Sequence, residues 1–376
     1  MLDIAVSYGL FASGYGGARE SLLTLLEGIS DRRDVFVTAY QPGPADNPPE
    51  RTFDYQIHTT NIVSFPKLTW ADRVVTRAQW KRYLRRELRP THDILITQTD
   101  LAPPSIEVAN EKGIPSIYLV RSLVLTGYDK YFPKEGHIRS FAKTDIGGKI
   151  QYPFLWKNFE QHRTATRTAT ASVANSEFTA RKLQTLFDTK VHREAIYPPI
   201  ELDQYRVEYC PDGYITMVNP RTEYKGPDIF LDIASKRPDE KFLMVGHIHS
   251  KSIKKQVEQA ENVTHWEWID DIREAYAESK LVVVPSRFEE PFGRVPAESM
   301  VSGIPCVVSD RGGLPDVVGE TGTVVSDIDS VDAWISAIDM TLANHQPKDQ
   351  QQRAQMFSTD RQVEKLDRLL NNIQET

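Results

Sequence analysis

Residues 281–318 read LVVVPSRFEEPFGRVPAESMVSGIPCVVSDRGGLPDVV, and this stretch decides the fold. Leu281-Val282-Val283-Val284 is a short apolar, β-branched run of the kind found in strands buried on both faces. Pro285 stops it. A loop follows with Glu289, Glu290, Pro291, Phe292 and Gly293. Arg294 to Ser302 predicts a helix, closed by Gly303 with Pro305 just beyond. Ile304 to Ser309 predicts the next buried strand, and Gly312-Gly313 a second tight loop. Strand, loop, helix, strand is a unit of a parallel α/β sheet, whose ligands gather at the carboxyl ends of the strands. Glu290 falls on that rim and Glu298 about one turn into the helix, so both carboxylates are expected to face one cleft.

Such a pair has two readings. Ionised carboxylates accept hydrogen bonds from sugar or ribose hydroxyls, and backbone N–H groups at a helix start favour phosphate, which together suit a nucleotide sugar. Alternatively, Glu298 is a solvated helix residue and Glu290 a partner of the helix dipole.

Composition narrows the classes. The 376 residues are enough for two domains, and 40% hydrophobic with 26% charged residues is ordinary for a globular chain. A net charge of −7 argues against nucleic-acid binding by bulk charge. Two cysteines, Cys210 and Cys306, argue against a disulfide framework and point to a reducing compartment, the cytoplasm. There is no apolar run of membrane-spanning length, and the start, Met1-Leu2-Asp3, does not resemble a secretion signal.

Other segments extend the pattern. Leu2 to Tyr8 predicts a strand, followed by the loop GLFASGYGG (9–17) and a helix from Ala18 to Ile29. Arg19 stands where a dinucleotide fingerprint needs its third glycine. Gly16 and Gly17 either let backbone amides approach a ligand or simply permit a tight turn. Between Lys67 and Arg89 the chain is strongly basic, with Trp70, Val74, Ala78, Leu84 and Leu88 near one side of a helix. That is a peripheral contact with an anionic membrane, or a domain helix with a solvated charged face. Strands are predicted at Asp93–Thr97 and Ile114–Val120, the second ending at Arg121, and a long helix at Tyr152–Thr168. Ser176 predicts a helix cap before Glu177–Phe187. In the run NPRTEYKGPDIFLDIA (219–234), Arg221 and Lys225 flank a strand-to-helix loop with Gly226-Pro227 at the helix entry, either a place for a diphosphate or simply two solvated cations. His247 and His249 lack the companions that a metal site needs.

The pair Glu290-x7-Glu298 in its setting, together with VANSEFTARKL (173–183), resembles the retaining glycosyltransferases of family 4. The resemblance implies a GT-B fold: α/β, two Rossmann-like domains with parallel sheets facing across a cleft, and a C-terminal helix crossing back to the first domain. The expected division is 1–199 for an acceptor-binding domain, 200–355 for a nucleotide-sugar-binding domain, and 356–376 for the returning helix. It implies that Glu290 contacts the transferred sugar and Glu298 the ribose, and that Lys225 and Arg221 hold and neutralise the diphosphate. Gly226, Phe292, Gly293 and Arg294 are expected around the donor, and so are Gly16 and Gly17, which match the family's Gly-Gly loop. Many members carry a His just after the strand Ile114–Val120, close to the reacting sugar carbon, and this chain has Arg121 there, which is counted with Glu290, Lys225 and Arg221 among the expected catalytic residues. A guanidinium cannot act as a base, but it can hold a phosphate or fix a sugar, or merely pair with a carboxylate.

The implied function is retaining transfer of a sugar (a hexose) from a UDP- or GDP-sugar to a hydroxyl on a glycan or lipid-linked glycan, with no metal and no cofactor beyond the co-substrate. Three rivals stand beside it. A glycosidase could use the two Glu as acid and nucleophile, though it would have no diphosphate to hold. A silent nucleotide-sugar-binding partner subunit and a nucleotide-sugar epimerase share the same fold.

Overall fold

The computed structural model describes residues 1–13, 16–64, 69–123, 146–192 and 194–375. The chain forms two compact units, Met1–Pro198 with Gln362–Thr376, and Pro199–Arg361. Each is built on a six-stranded, wholly parallel sheet.

In the first unit the strands are β1 (Leu2–Ser7), β2 (Val35–Pro42), β3 (Asp54–Thr60), β4 (Ile94–Gln98), β5 (Ser116–Val120) and β6 (Ala171–Ala174), in the spatial order β3-β2-β1-β4-β5-β6. In the second they are β7 (Tyr214–Val218), β8 (Phe242–Val245), β9 (Val263–Trp266), β10 (Ser279–Val284), β11 (Cys306–Ser309) and β12 (Thr323–Val325), in the order β12-β11-β10-β7-β8-β9. Both are the doubly wound order. The chain reverses its direction of travel between β1 and β4 in one sheet, and between β7 and β10 in the other. Those two gaps are the topological switch points, where loops diverge and leave a crevice at the carboxyl edge.

The central strands are apolar on both faces because helices cover both. Ile4, Val6, Val37, Ile96 and Leu119 are fully buried in the first sheet; Ile215, Met244, Val283 and Val307 are in the second. Three strands escaped the sequence reading: β3 (DYQIHTT), β9 (VTHW) and β12 (TVV). Each is an edge strand and only partly buried, so none needs the apolar run that marks a central one.

The long helix of the first unit runs from Ile146 to Thr168 and contains Pro153, so it starts earlier than the expected Tyr152. Ser176 caps Glu177–Phe187 as expected, its hydroxyl accepting from the Thr179 amide at 3.0 Å. The basic stretch forms the helix Thr69–Glu87; Lys67 lies outside the described residues. Trp80, Tyr83, Leu84 and Leu88 are buried in the first unit. Most of its cations are paired: Lys81 with Glu107, Arg85 with Glu111, and Arg73 and Arg77 with Asp100. Among the described residues, no helix is long and apolar enough to cross a membrane. The last helix, Thr359–Gln374, buries Val363, Leu366, Leu369 and Leu370 in the core of the first unit beside Leu2, Leu26 and Ile29.

Candidate functional site

In the second unit, the loop after β7 crosses the switch point to meet the loop after β10. Asn219 leaves β7 with φ of 63°, and a single 3-10 turn, Glu223–Lys225, leads to Gly226 and the helix Pro227–Lys236. Gly226 has φ of 75°, and a Cβ there would lie 2.0 Å from the Pro285 carbonyl oxygen. Only glycine allows the two loops to lie this close. They are stitched by the Arg287 amide donating to the Tyr224 carbonyl at 2.8 Å. Pro227 at the first helical position gives up an N–H that no carbonyl would have met.

This approach brings Lys225 to Glu290 across 65 residues of sequence, Nζ to Oε1 at 2.5 Å. Ser286 Oγ donates to the same oxygen at 3.0 Å. Among the described residues both of these hydrogen bonds go to Oε1 of Glu290, and none is made to Oε2. The Glu290 main chain is clasped by the second glycine loop: its carbonyl accepts from the Gly313 amide at 2.7 Å, and a Cβ on Gly312 would stand 2.2 Å from that carbonyl oxygen.

The two carboxylates have unlike surroundings. Glu298 lies inside the unit, its side chain only 10% exposed. Arg294 Nε donates to its Oε1 at 2.9 Å and Tyr276 OH to its Oε2 at 3.1 Å, while Arg294 Nη2 reaches Tyr205 OH at 3.1 Å. Burial pushes the Glu298 carboxyl up from its ordinary value, against the pull of Arg294 and the tyrosines. Burial likewise works against the Arg294 cation, but Glu298 and Tyr205 outweigh it and hold its pKa above the usual one. Gly293, with φ of 121°, opens this short helix, and a Cβ there would meet Leu314 at 2.8 Å. The Phe292 ring turns inward and packs edge-on against Phe357, so it shapes the loop from beneath.

Arg221 is exposed on the rim and donates from Nε to His249 Nε2 at 3.3 Å. His247 stacks on Trp268, ring centres 5.6 Å apart, and Trp268 and Tyr224 are 70% and 71% exposed. Sequence reasoning missed Ser286, Tyr276, Tyr205, Trp268 and Tyr224 as part of this neighbourhood. Exposed aromatics beside predicted strand ends were the signal that could have found the last two.

In the first unit, Gly16 caps the helix Gly17–Ser30 without a side chain to fill the cap, and nothing lies within 4 Å of a Cβ placed on it. Gly14 of that loop lies outside the described residues. Arg121 follows β5 and is 8% exposed. Its Nε donates to Gln98 Oε1 at 3.2 Å, and its Nη2 has no partner among the described residues. Leaving a buried donor of a charged group unmatched costs about 1–3 kcal/mol or more. Gln98 ends β4 and also donates to the Ala18 carbonyl at 3.1 Å. The next residue, Thr99, is β-branched yet has φ of 63°, a strained conformation of the kind that collects at ligand sites. The expected site residues thus fall into three groups: Lys225, Glu290, Gly226 and Arg221 at the second switch point; Arg294 and Glu298 paired beneath it with Phe292 and Gly293; and Gly16, Gly17 and Arg121 at the edge of the first sheet.

Comparison with known proteins fits this geometry. Residues 213–344 match the model of the family Glycosyl transferases group 1. The chain is 29% identical over 196 residues to a D-inositol 3-phosphate glycosyltransferase of Mycobacterium sp. (strain KMS), covering 46% of this chain and 44% of that protein. It is 26% identical over 157 residues to spore coat protein SA of Bacillus subtilis (strain 168), covering 36% and 41%. The matched region thus spans under half the length of these relatives. Among solved structures, sucrose-phosphate synthase from Thermosynechococcus elongatus superposes with a TM-score of 0.72 at 18% identity over 99% of both chains. Anabaena HepE in complex with UDP does so at 0.68 and 17%, over 99% of this chain and 100% of that one. At such identities the likeness speaks for the fold, which is that of the GT-B glycosyltransferases. Residues 213–344, which hold Lys225, Glu290 and Glu298, carry the pattern of group 1 glycosyltransferases.

Proposed function

We propose that this protein is a retaining glycosyltransferase that moves a sugar from a nucleotide diphosphate sugar, UDP- or GDP-linked, to a hydroxyl of a glycan or lipid-linked glycan. The observation that carries the reading is the contact of Lys225 with Glu290 at the switch point of the second sheet. The family match of residues 213–344 supports it, as do structural neighbours whose descriptions name UDP and UDP-glucose.

In this reading the second unit binds the donor and the first binds the acceptor. Lys225 and Arg221 hold the diphosphate, aided by the amides that open the helix Pro227–Lys236. Glu290, with one oxygen held by Lys225 and Ser286, offers the other to the sugar hydroxyls. Glu298 has two internal hydrogen bonds, and a carboxylate has room for about four, so ribose hydroxyls can still be accepted. The bond between the anomeric carbon and the phosphate oxygen breaks and a bond from the acceptor oxygen forms on the same face. The departing phosphate oxygen takes the acceptor's proton. Charge develops on the leaving diphosphate, and fixed cations beside it lower the barrier without a metal or a protein base.

The test is a thermal-shift panel of UDP, GDP, ADP and their sugars on the full chain and on Lys225→Ala. A shift specific to one nucleotide sugar, lost in the variant, is expected. Absence of any shift would overturn the reading. Binding without transfer to any acceptor would favour a silent partner subunit, and interconversion of the bound sugar an epimerase. Peripheral membrane contact through 67–89 is a separate part of the reading, favoured by Arg82 and Arg86, which are exposed and form no ion pair among the described residues. Sedimentation with anionic vesicles, lost in R82E/R86E, would support it.

A further inference from the structure

Just after the fifth strand of the first sheet stands a buried cation for which the described residues supply no counter-charge. Arg121 is more than nine-tenths buried, its Nη2 is unmatched, and no carboxylate among the described residues lies within ion-pair distance of it. Burial lowers its pKa to about 10, so it still carries its charge at neutral pH. Arg77, a deeply buried arginine on the helix Thr69–Glu87, shows the contrast: it has Asp100, Gln161 and His162 around it. Arg19 close by is likewise satisfied, by Glu20 and two backbone carbonyls. A guanidinium is shaped to meet two oxygens of one anion, and a buried one is ordinarily met in that way.

The surroundings of Arg121 favour an anion. Gln98 turns its oxygen to Arg121 and its amide nitrogen to the Ala18 carbonyl, tying the guanidinium to the first turn of the helix Gly17–Ser30. That 14-residue helix has no side-chain cap, and among the described residues no atom beyond its chain neighbours lies within 4 Å of a Cβ placed on Gly16. Tyr8, Gln98, Arg121 and Asn175 follow or end β1, β4, β5 and β6, four neighbouring strands, so they share one carboxyl edge, which includes the switch point.

We propose that Arg121 and the uncapped start of the helix Gly17–Ser30 form a subsite for an anionic group, phosphate or carboxylate, carried by the acceptor. This deepens the glycosyl-transfer reading and rests on it. The subsite selects a negatively charged hydroxyl acceptor over a neutral one.

The experiment uses the full chain saturated with UDP, so that the Lys225 side is occupied. Inorganic phosphate and acetate are titrated by thermal shift and calorimetry, with chloride at matched ionic strength as control, on the parent protein, Arg121→Gln and Arg121→Lys. Phosphate, acetate or both should stabilise the parent beyond chloride, and the stronger of the two names the group. Affinity should fall at least tenfold in Arg121→Gln and be partly kept in Arg121→Lys. Equal effects of chloride, phosphate and acetate on the parent would overturn the proposal, whether or not the variants fold. So would anion binding that Arg121→Gln leaves intact. If UDP does not bind, the transfer reading itself fails; the anion titration is then read on Lys225→Ala.

Discussion

At the scale of single residues, the contacts at the second switch point make two firm predictions. Gly226→Ala forces a side chain into left-handed backbone and against the Pro285 carbonyl. It should cost about 2–4 kcal/mol by urea denaturation; a loss under roughly 1 kcal/mol would mean the loops part easily and the site is not built on their contact. Arg294→Met strands Glu298, a buried carboxylate, and should cost about 2–4 kcal/mol. Adding Glu298→Gln removes the stranded charge and should recover a good part of that loss. A double-mutant cycle with no coupling would contradict the pairing. Lys225→Ala, by contrast, should act on ligand binding far more than on folding, because Lys225 is the more exposed member of the pair, 30% against 13%, and Ser286 still donates to the Glu290 carboxylate.

At the scale of elements, the helix Ile146–Thr168 is fastened to the first sheet by a neutral histidine. His162 is completely buried, accepts from Arg77 at 2.9 Å through Nε2, and meets Tyr118 OH at 2.8 Å through Nδ1. Burial and the charges of Arg77 and Arg73 hold its pKa well below the ordinary 6.5. The unfolded chain therefore binds a proton here that the folded chain refuses. The stability this group contributes is full above about pH 6.5 and declines as pH falls below it. The denaturation midpoint should drop on acidification through that range, and His162→Gln should flatten the drop. His92 and His192, also depressed by burial, add to it in the same sense. A midpoint indifferent to pH between 7 and 5 would count against a neutral buried His162 (each unit of depression is worth about 1.4 kcal/mol).

Elements also show where sequence reading worked. Strands such as β10 and β5 were legible because burial on both faces demands an unbroken apolar run. The helix starts at Ser176 and Gly226 were legible because caps have their own chemistry. The edge strands β3, β9 and β12 were not, since a half-solvated strand has no such demand. Candidate site residues were legible where they belong to a long pattern, as Glu290, Glu298 and Lys225 do. The supporting groups Gln98, Ser286 and Tyr276 were not, because nothing local distinguishes them from ordinary polar residues.

For the whole molecule, the last helix belongs to the first unit although it follows the second in the chain. Its apolar face completes a core that begins at Leu2, and Leu366 is fully buried there. Leu366→Ala should cost about 2–5 kcal/mol. Hydrogen exchange should quicken in 1–198 and 362–375 while amides of 199–361 keep their rates; uniform quickening would show that the two units unfold as one.

The sequence alone determined the alternation of buried strand and helix, and with it a parallel α/β architecture, because solvent exclusion and helix capping act on neighbouring residues. It also set out the charged groups of a candidate donor site. Tertiary structure decided which of those groups touch. Lys225 meets Glu290 because two glycines let distant loops close on each other. Glu298 is drawn inward by Arg294 and Tyr276, and Arg121 is buried with a donor unmet. Burial and pairing depend on which loops share a switch point, and that is a property of strand order that no local pattern records.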